Sequence, residues 1–277
     1  MKLKVCVVLC AFSACGPGKG TEKFTTWGEE FIEQGIPDTA FVDGWSVHYD
    51  KFLVVFAGIK VADAKGNAGA MLTGSRLVDN TKPGRKDLVT FSDLDAQAWD
   101  RVSYQIRPAA DGAELVSATE DDRTVMKNGG FSLYVAGAAT KGFVTKTFHW
   151  GFVTATQYND CTQAAESGTP IEGVVVTVGG TDTSELTTHG DHLYYDRLKA
   201  SPDPAIETSL RFDEKAAADS NGDNEITLDE LDAAPIDVTK YDPSGFDAPT
   251  LGAFMKSLAR TVGHFRGEGE CTISEAK

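Results

Sequence analysis

The run at 45–63, WSVHYDKFLVVFAGIKVAD, constrains this chain most: it is crowded with β-branched and aromatic residues and closes on Ala64-Lys-Gly-Asn67, which is hairpin-type turn chemistry. It predicts two strand segments or one long bent strand. Further strand candidates lie at 75–78, 87–91, 103–106, 130–136, 141–154 and 173–178, separated by Gly, Asn and Asp. Short strands with that punctuation indicate a mainly β, antiparallel β-sandwich over 41–188. In FVTKTFHWGFV strict alternation puts Phe148, Trp150 and Phe152 on one face, read as core, and Thr145, Thr147 and His149 on the other.

Past His189 the pattern changes, and 189–277 reads as a helical region. Asp191 is placed to cap a helix running through Leu193, Tyr194 and Leu198. Pro202 and Pro204 interrupt it, and Leu210 and Phe212 lie on the inner face of the next. A last helix is expected at 250–263, where Leu251, Phe254, Leu258 and Val262 fall at helical spacing.

The opening Met1-Lys-Leu-Lys4 is basic, and an apolar run of about ten residues follows it, too short to span a bilayer and right for a signal peptide over 1–14. Phe12-Ser13-Ala14-Cys15 resembles the bacterial lipoprotein signal, which implies a lipid on Cys15 and a flexible tether over 15–40. The alternative is an ordinary signal peptide with Cys15 in a disulfide. With Cys6 and Cys10 in the removed leader and Cys15 lipidated, Cys161 and Cys271 remain for one disulfide, or for two free thiols in a reducing compartment. Closing a loop of about 110 residues in this way is worth roughly 4–5 kcal/mol in the chain-entropy model.

Apolar residues make up 41% and charged residues 24%, enough for a packed core. The net charge is −15 and becomes more negative when Lys2 and Lys4 leave with the leader. Nucleic acid is therefore excluded as an expected partner, since phosphate binding needs a basic face. No second apolar run approaches a membrane span, so the membrane is expected to be reached through the lipid alone.

The stretch DSNGDNEITLDE at 219–230 carries oxygen donors at calcium-loop spacing: Asp219, Asn221, Asp223, the Glu225 carbonyl, Thr227 and Glu230. Ile226 stands at the position that packs beside such a loop. It resembles the EF-hand, with Asn224 where that family has a glycine at positive φ, a substitution costing about 1 kcal/mol. The resemblance covers some thirty residues in one copy. It implies Ca2+ bound as a structural clamp, against the alternative of a merely acidic loop.

Thr187-Thr-His-Gly-Asp-His192 places His189, Asp191 and His192 at the junction of a strand and a helix. Two imidazoles and a carboxylate so close can converge on copper or zinc, or can serve as polar caps. His48, His149 and His264 are candidate third ligands, with nothing in the sequence to bring them together. H-E-x-x-H, G-x-S-x-G and phosphate-loop signatures are absent, so the expectation leans away from an enzyme.

Two broader resemblances follow from longer stretches. Residues 49–107, with the Asp-Ala-Lys-Gly-Asn turn, Leu77-Val-Asp79, Phe91-Ser-Asp-Leu-Asp95 and Val102-Ser-Tyr104, are similar to the opening sheet of secreted β-sandwich proteins that include the methanobactin-associated periplasmic copper-binding proteins. That implies a copper site and a di-haem partner that modifies a tryptophan, although the family's four-cysteine pattern is missing here. Trp150-Gly-Phe152, Cys161, His189-Gly-Asp-His192, the 219–230 loop and His264-Phe-Arg-Gly-Glu-Gly-Glu-Cys271 together resemble uncharacterised lipoproteins of Gram-negative bacteria. The expectation is a calcium-binding, lipid-anchored cell-envelope protein, on the outer membrane or the periplasmic face, non-catalytic and with an envelope protein as partner. The alternatives are a transition-metal protein or metalloenzyme using His189 and His192, and a carbohydrate- or partner-binding module.

Overall fold

The long apolar run forms a single strand, Ser46–Ala62, in a computed structural model that describes residues 18–108, 112–164, 169–200, 203 and 205–276. Its register slips between Ala57 and Lys60, at Gly58, whose φ of +57° suits a residue without a Cβ. That bend gives the strand two partners on each edge. Leu133–Lys141 and then Arg101–Ile106 pair along one edge, Ser75–Asp79 and then Ala68–Met71 along the other. Val144–Phe152 and then Glu225–Ile226 extend the sheet at one side, Thr156–Asn159 with Thr272–Glu275 extend it at the other, and Glu114–Val116 pairs with Ser75–Asp79, giving ten strands among the described residues. The protein is mainly β, built on this curled many-stranded sheet.

Both faces of the long strand are covered. Phe52, Val54 and Phe56 enter the main core, while Leu53 and Val55 join Leu77 and Met126 in a smaller one. Met126 belongs to the helix Glu120–Gly129, which the hydrophobic pattern did not single out. Local chemistry explains it: Thr119 and Asp122 form a reciprocal capping box, and Gly130 at φ 63° ends the helix. Phe148, Trp150 and Phe152 are buried as the alternation predicts, and Trp150 Nε1 donates to the Ile226 carbonyl at 2.8 Å.

Four expectations are corrected. The tether is not a tether where it is described: Lys19–Trp27 is a strand, antiparallel to Lys86–Asp95 and parallel to Thr181–Thr187, followed by the helix Glu29–Glu33. Glycines at 16, 18 and 20 read as a tether, and a stretch whose large apolar residues, Phe24 and Trp27, stand three apart and off a period-2 alternation is too weak a strand pattern to outweigh them. The expected leader at 1–14 and the lipid site Cys15 lie outside the described residues, as do Pro202 and Pro204.

The region after His189 is not mainly helical. It holds the short helices Asp213–Ala217, Leu228–Ala233 and Leu251–Leu258 among turns. Asp191 makes no capping bond; it begins the 3-10 turn Asp191–Tyr194, which ends because Tyr195 is extended. Nor is 188/189 a domain boundary, since one core holds Phe52, Trp150, Tyr194, Phe212 and Phe254 together. Val144–Phe152 even takes Glu225–Ile226 as a parallel neighbour. Cys161 and Cys271 are joined as a disulfide.

Glu22, on the first described strand, faces the core with neither carboxylate oxygen hydrogen-bonded. Burial pushes its pKa up to about 7, with Ser184 and Arg266 pulling down and Asp182 pushing up. A carboxyl raised in the folded state weakens the fold above that pKa and not below the unfolded value. Glu22→Gln is expected to leave stability nearly unchanged at pH 4, below the unfolded value, and to stabilise by about 2 kcal/mol at pH 8. Equal effects at the two pH values in thermal melts would contradict the buried-acid reading.

Candidate metal centre

Two distant segments meet to build the site. Thr188 and Gly263 form an antiparallel bridge, flanked by His189 N–H to the Val262 carbonyl at 2.9 Å and His264 N–H to the Thr187 carbonyl at 3.0 Å. That register sets His189 beside His264, with ring centroids 4.3 Å apart. The turn after Gly190 then swings His192 back, 5.3 Å from His189 and 4.9 Å from His264. Glycine is required at both approaches. A Cβ on Gly190 would meet Ile32 and Tyr49 at 2.7 and 2.9 Å, and one on Gly263 would meet the Tyr104 hydroxyl at 2.7 Å.

Carboxylates complete the cluster. Donor atoms of His189, Asp191 and His192 lie within 4.8 Å of one another, as do those of His189, His264 and Glu268, so His189 belongs to both groups. All three imidazoles are more than nine-tenths buried. His48 and His149 take no part; both are exposed and lie beside Asp50 and Glu225. The sequence could not join His264 to the pair, although His189 and His264 each stand next to one of the glycines that permit the contact.

Hydrogen bonding prepares these rings as ligands. Thr261 Oγ1 donates its only proton to the Leu258 carbonyl at 2.8 Å, so it must accept from His192 Nδ1 at 2.9 Å. The proton of neutral His192 therefore sits on Nδ1, and Nε2 presents a lone pair. His189 Nδ1 lies 3.4 Å from Glu29 Oε2, while its Nε2 has no partner; His264 Nδ1 has none either. An unpaired buried polar atom costs on the order of 1–3 kcal/mol. Glu29 and Arg266, which flank the cluster, hold positive φ values of 51° each, strain typical of functional sites.

Electrostatics keep the rings neutral. Burial lowers the pKa of all three, and His192 falls well below its ordinary value because His264 and His189 add repulsion. Burial raises Asp191, and it lifts Glu29 to about 7. Neutral imidazoles beside carboxyl groups that ionise reluctantly form a site short of positive charge.

The 219–230 loop lies elsewhere, against Val144–Phe152. Asn224 has φ 69°, the left-handed conformation its position in the loop demands. Asp219 accepts from the Gly222 and Asn224 amides, Asn221 from Asp223, Asp223 from Glu225, and Glu230 from Thr227 and Ser220. Lys146 Nζ contacts Asp219 and lies 3.1 Å from Asn224 Oδ1. No family model, curated protein or solved structure matches this chain.

The histidine shifts fix a pH dependence. Below about 6.5 the unfolded chain takes up protons that the folded cluster refuses, so the metal-free fold loses stability as pH falls, by about 1 kcal/mol per pH unit for each excess proton. Glu29 and Asp191 act in the opposite sense, so the informative quantity is a difference between proteins. Between pH 7 and pH 5 the melting temperature of His192→Gln is expected to fall less than that of the parent. Parallel curves would mean that His192 does not carry the effect.

Proposed function

We propose that this chain is a transition-metal-binding protein whose centre gathers His189, His192 and His264, with His189 shared between one donor group completed by Asp191 and His192 and another completed by His264 and Glu268. The observation that carries this reading is two overlapping donor groups on buried imidazoles, joined at His189, with Nε2 of His189 and Nδ1 of His264 left unpartnered. Such a donor set suits copper or zinc. Thr261 is the outer partner that fixes the His192 tautomer, and Glu29 stands in the same position beside His189. Nothing in the site supplies a nucleophile with its own base, so metal holding is preferred to catalysis.

Calorimetric titration of untagged protein with Zn2+ or Cu2+, together with elemental analysis, tests this. About one ion per chain is expected. His264→Ala should cost more than the roughly 10–100-fold that loss of an outer partner brings, and Thr261→Val should fall within that range. Stoichiometric binding that His264→Ala leaves intact would dismiss the centre.

A second reading concerns the 219–230 loop as a single EF-hand-like calcium clamp. The left-handed Asn224 and the donor order favour it, and calcium entering there displaces the Lys146 ammonium from Asp219. A clamp bound only to the folded state raises the melting temperature in proportion to ligand saturation. Calcium is expected to raise the melt of the parent, and Glu230→Gln to abolish that rise; identical melts of the parent in calcium and in EGTA would remove the clamp. The lipid on Cys15 and a place in the cell envelope belong to the same proposal, supported by the basic-then-apolar leader and by a disulfide of the kind that persists in oxidising compartments.

A further inference from the structure

The histidine cluster divides into two donor groups, each complete in itself. His189, Asp191 and His192 form one, His189, His264 and Glu268 the other, and the donor atoms within each lie within 4.8 Å of one another. His192 and His264 stand in different groups. Two imidazoles and a carboxylate are already a three-ligand set of the kind that holds zinc with a fourth position open, at about 2.0–2.2 Å from each donor. An ion so held keeps its donors within about 4.4 Å of one another, so a single ion fills one group and leaves the other's ring and carboxylate unused.

The shared ring makes room for a second ion. An imidazole has two distinct nitrogens, and each can hold a metal once its proton has gone. His189 Nε2 has no hydrogen-bond partner, and Nδ1 faces Glu29 Oε2 at 3.4 Å. Each group brings its own carboxylate, Asp191 or Glu268, and Glu29 stands beside the ring between them. The flanking guanidiniums are already paired, Arg266 with Asp182 at 2.6 Å and Arg197 with Asp196 at 3.3 Å. His192 from one group, and His264 and Glu268 from the other, line the same cavity of about 360 Å³, whose further charged walls Lys199 and Glu270 are of opposite sign. Both groups are therefore reached from one space.

We propose that the centre is dinuclear: a first divalent ion is held by His264, Glu268 and one nitrogen of His189, and a second, held more weakly, by Asp191, His192 and the other nitrogen, with the His189 ring as the bridge. This rests on the metal reading above and adds an ion to it. Entry of the second ion breaks the remaining N–H bond of His189 and forms a metal–nitrogen bond in its place; the proton passes to solvent, and the bridging ring is an imidazolate. The first ion goes to the group with Glu268 because that carboxylate is exposed, whereas Asp191 is half-buried and engaged by the Tyr195 hydroxyl at 3.2 Å.

The test adds Cu2+ stepwise to the untagged full chain, measures bound copper at each step, and integrates the low-temperature electron paramagnetic resonance signal. The first equivalent is expected to give the signal of an isolated Cu2+. The second is expected to bind and to diminish the integrated signal, because two unpaired spins joined through one imidazolate align antiparallel. Asp191→Asn, whose side-chain carbonyl can still accept from Tyr195, is expected to keep the first copper with its full signal and to lose the coupled second. Saturation at a single copper per chain, a second copper whose signal simply adds to the first, or a coupled pair that survives in Asp191→Asn would each overturn the dinuclear centre and leave the metal reading standing. No bound copper at all would overturn both.

Discussion

Everything in this fold depends on burying both faces of one bent strand. Ser46–Ala62 carries Phe52, Val54 and Phe56 into one core and Leu53 and Val55 into another, and a strand so covered must find hydrogen-bond partners along both edges. The sheet that results brings together residues far apart in the chain, and the site is hung from it. Tyr49, on the long strand, donates its hydroxyl to the Gly190 carbonyl at 2.7 Å and so holds the turn that presents His192. Tyr104, on a neighbouring strand, stacks on Tyr158 at 4.5 Å and donates to the His264 carbonyl. The apolar core thus fixes the backbone of two histidine-bearing segments.

A site built this way stores unfavourable energy. Three imidazoles buried beside carboxyl groups, two ring nitrogens without partners and two residues at positive φ all oppose folding. The surroundings overcome that cost. Cys161 and Cys271 pin the segment just beyond Glu268, and Arg266 is held by Ser184, Asp182 and Gln163. The loop from His264 to Cys271 is fastened at both ends and in its middle. A cation arriving among the neutral rings would relieve the same energy, since it supplies the charge and the partner they lack.

The two metal-like features differ in how they are satisfied. In the 219–230 loop each side-chain donor already accepts from a backbone amide of the loop, and Lys146 supplies a positive charge. The histidine cluster has no such internal substitute. Spacing alone marked the loop as the stronger signal; unmet hydrogen bonding marks the cluster.

What the chain determined by itself was local. The long strand, the Phe148-Trp150-Phe152 face and the left-handed Asn224 follow from side-chain period and turn chemistry within a dozen residues, and the Cys161–Cys271 pair from counting cysteines. The tertiary structure decided the rest. Lys19–Trp27 became a strand because Thr181–Thr187 and Lys86–Asp95 offered it edges, not because its own pattern was strong. His264 joined His189 and His192 because Thr188 and Gly263 pair across more than seventy intervening residues. Local sequence fixes which backbone conformations are cheap, but it holds no record of which distant edge a strand will meet; that depends on the energy of the whole packed sheet.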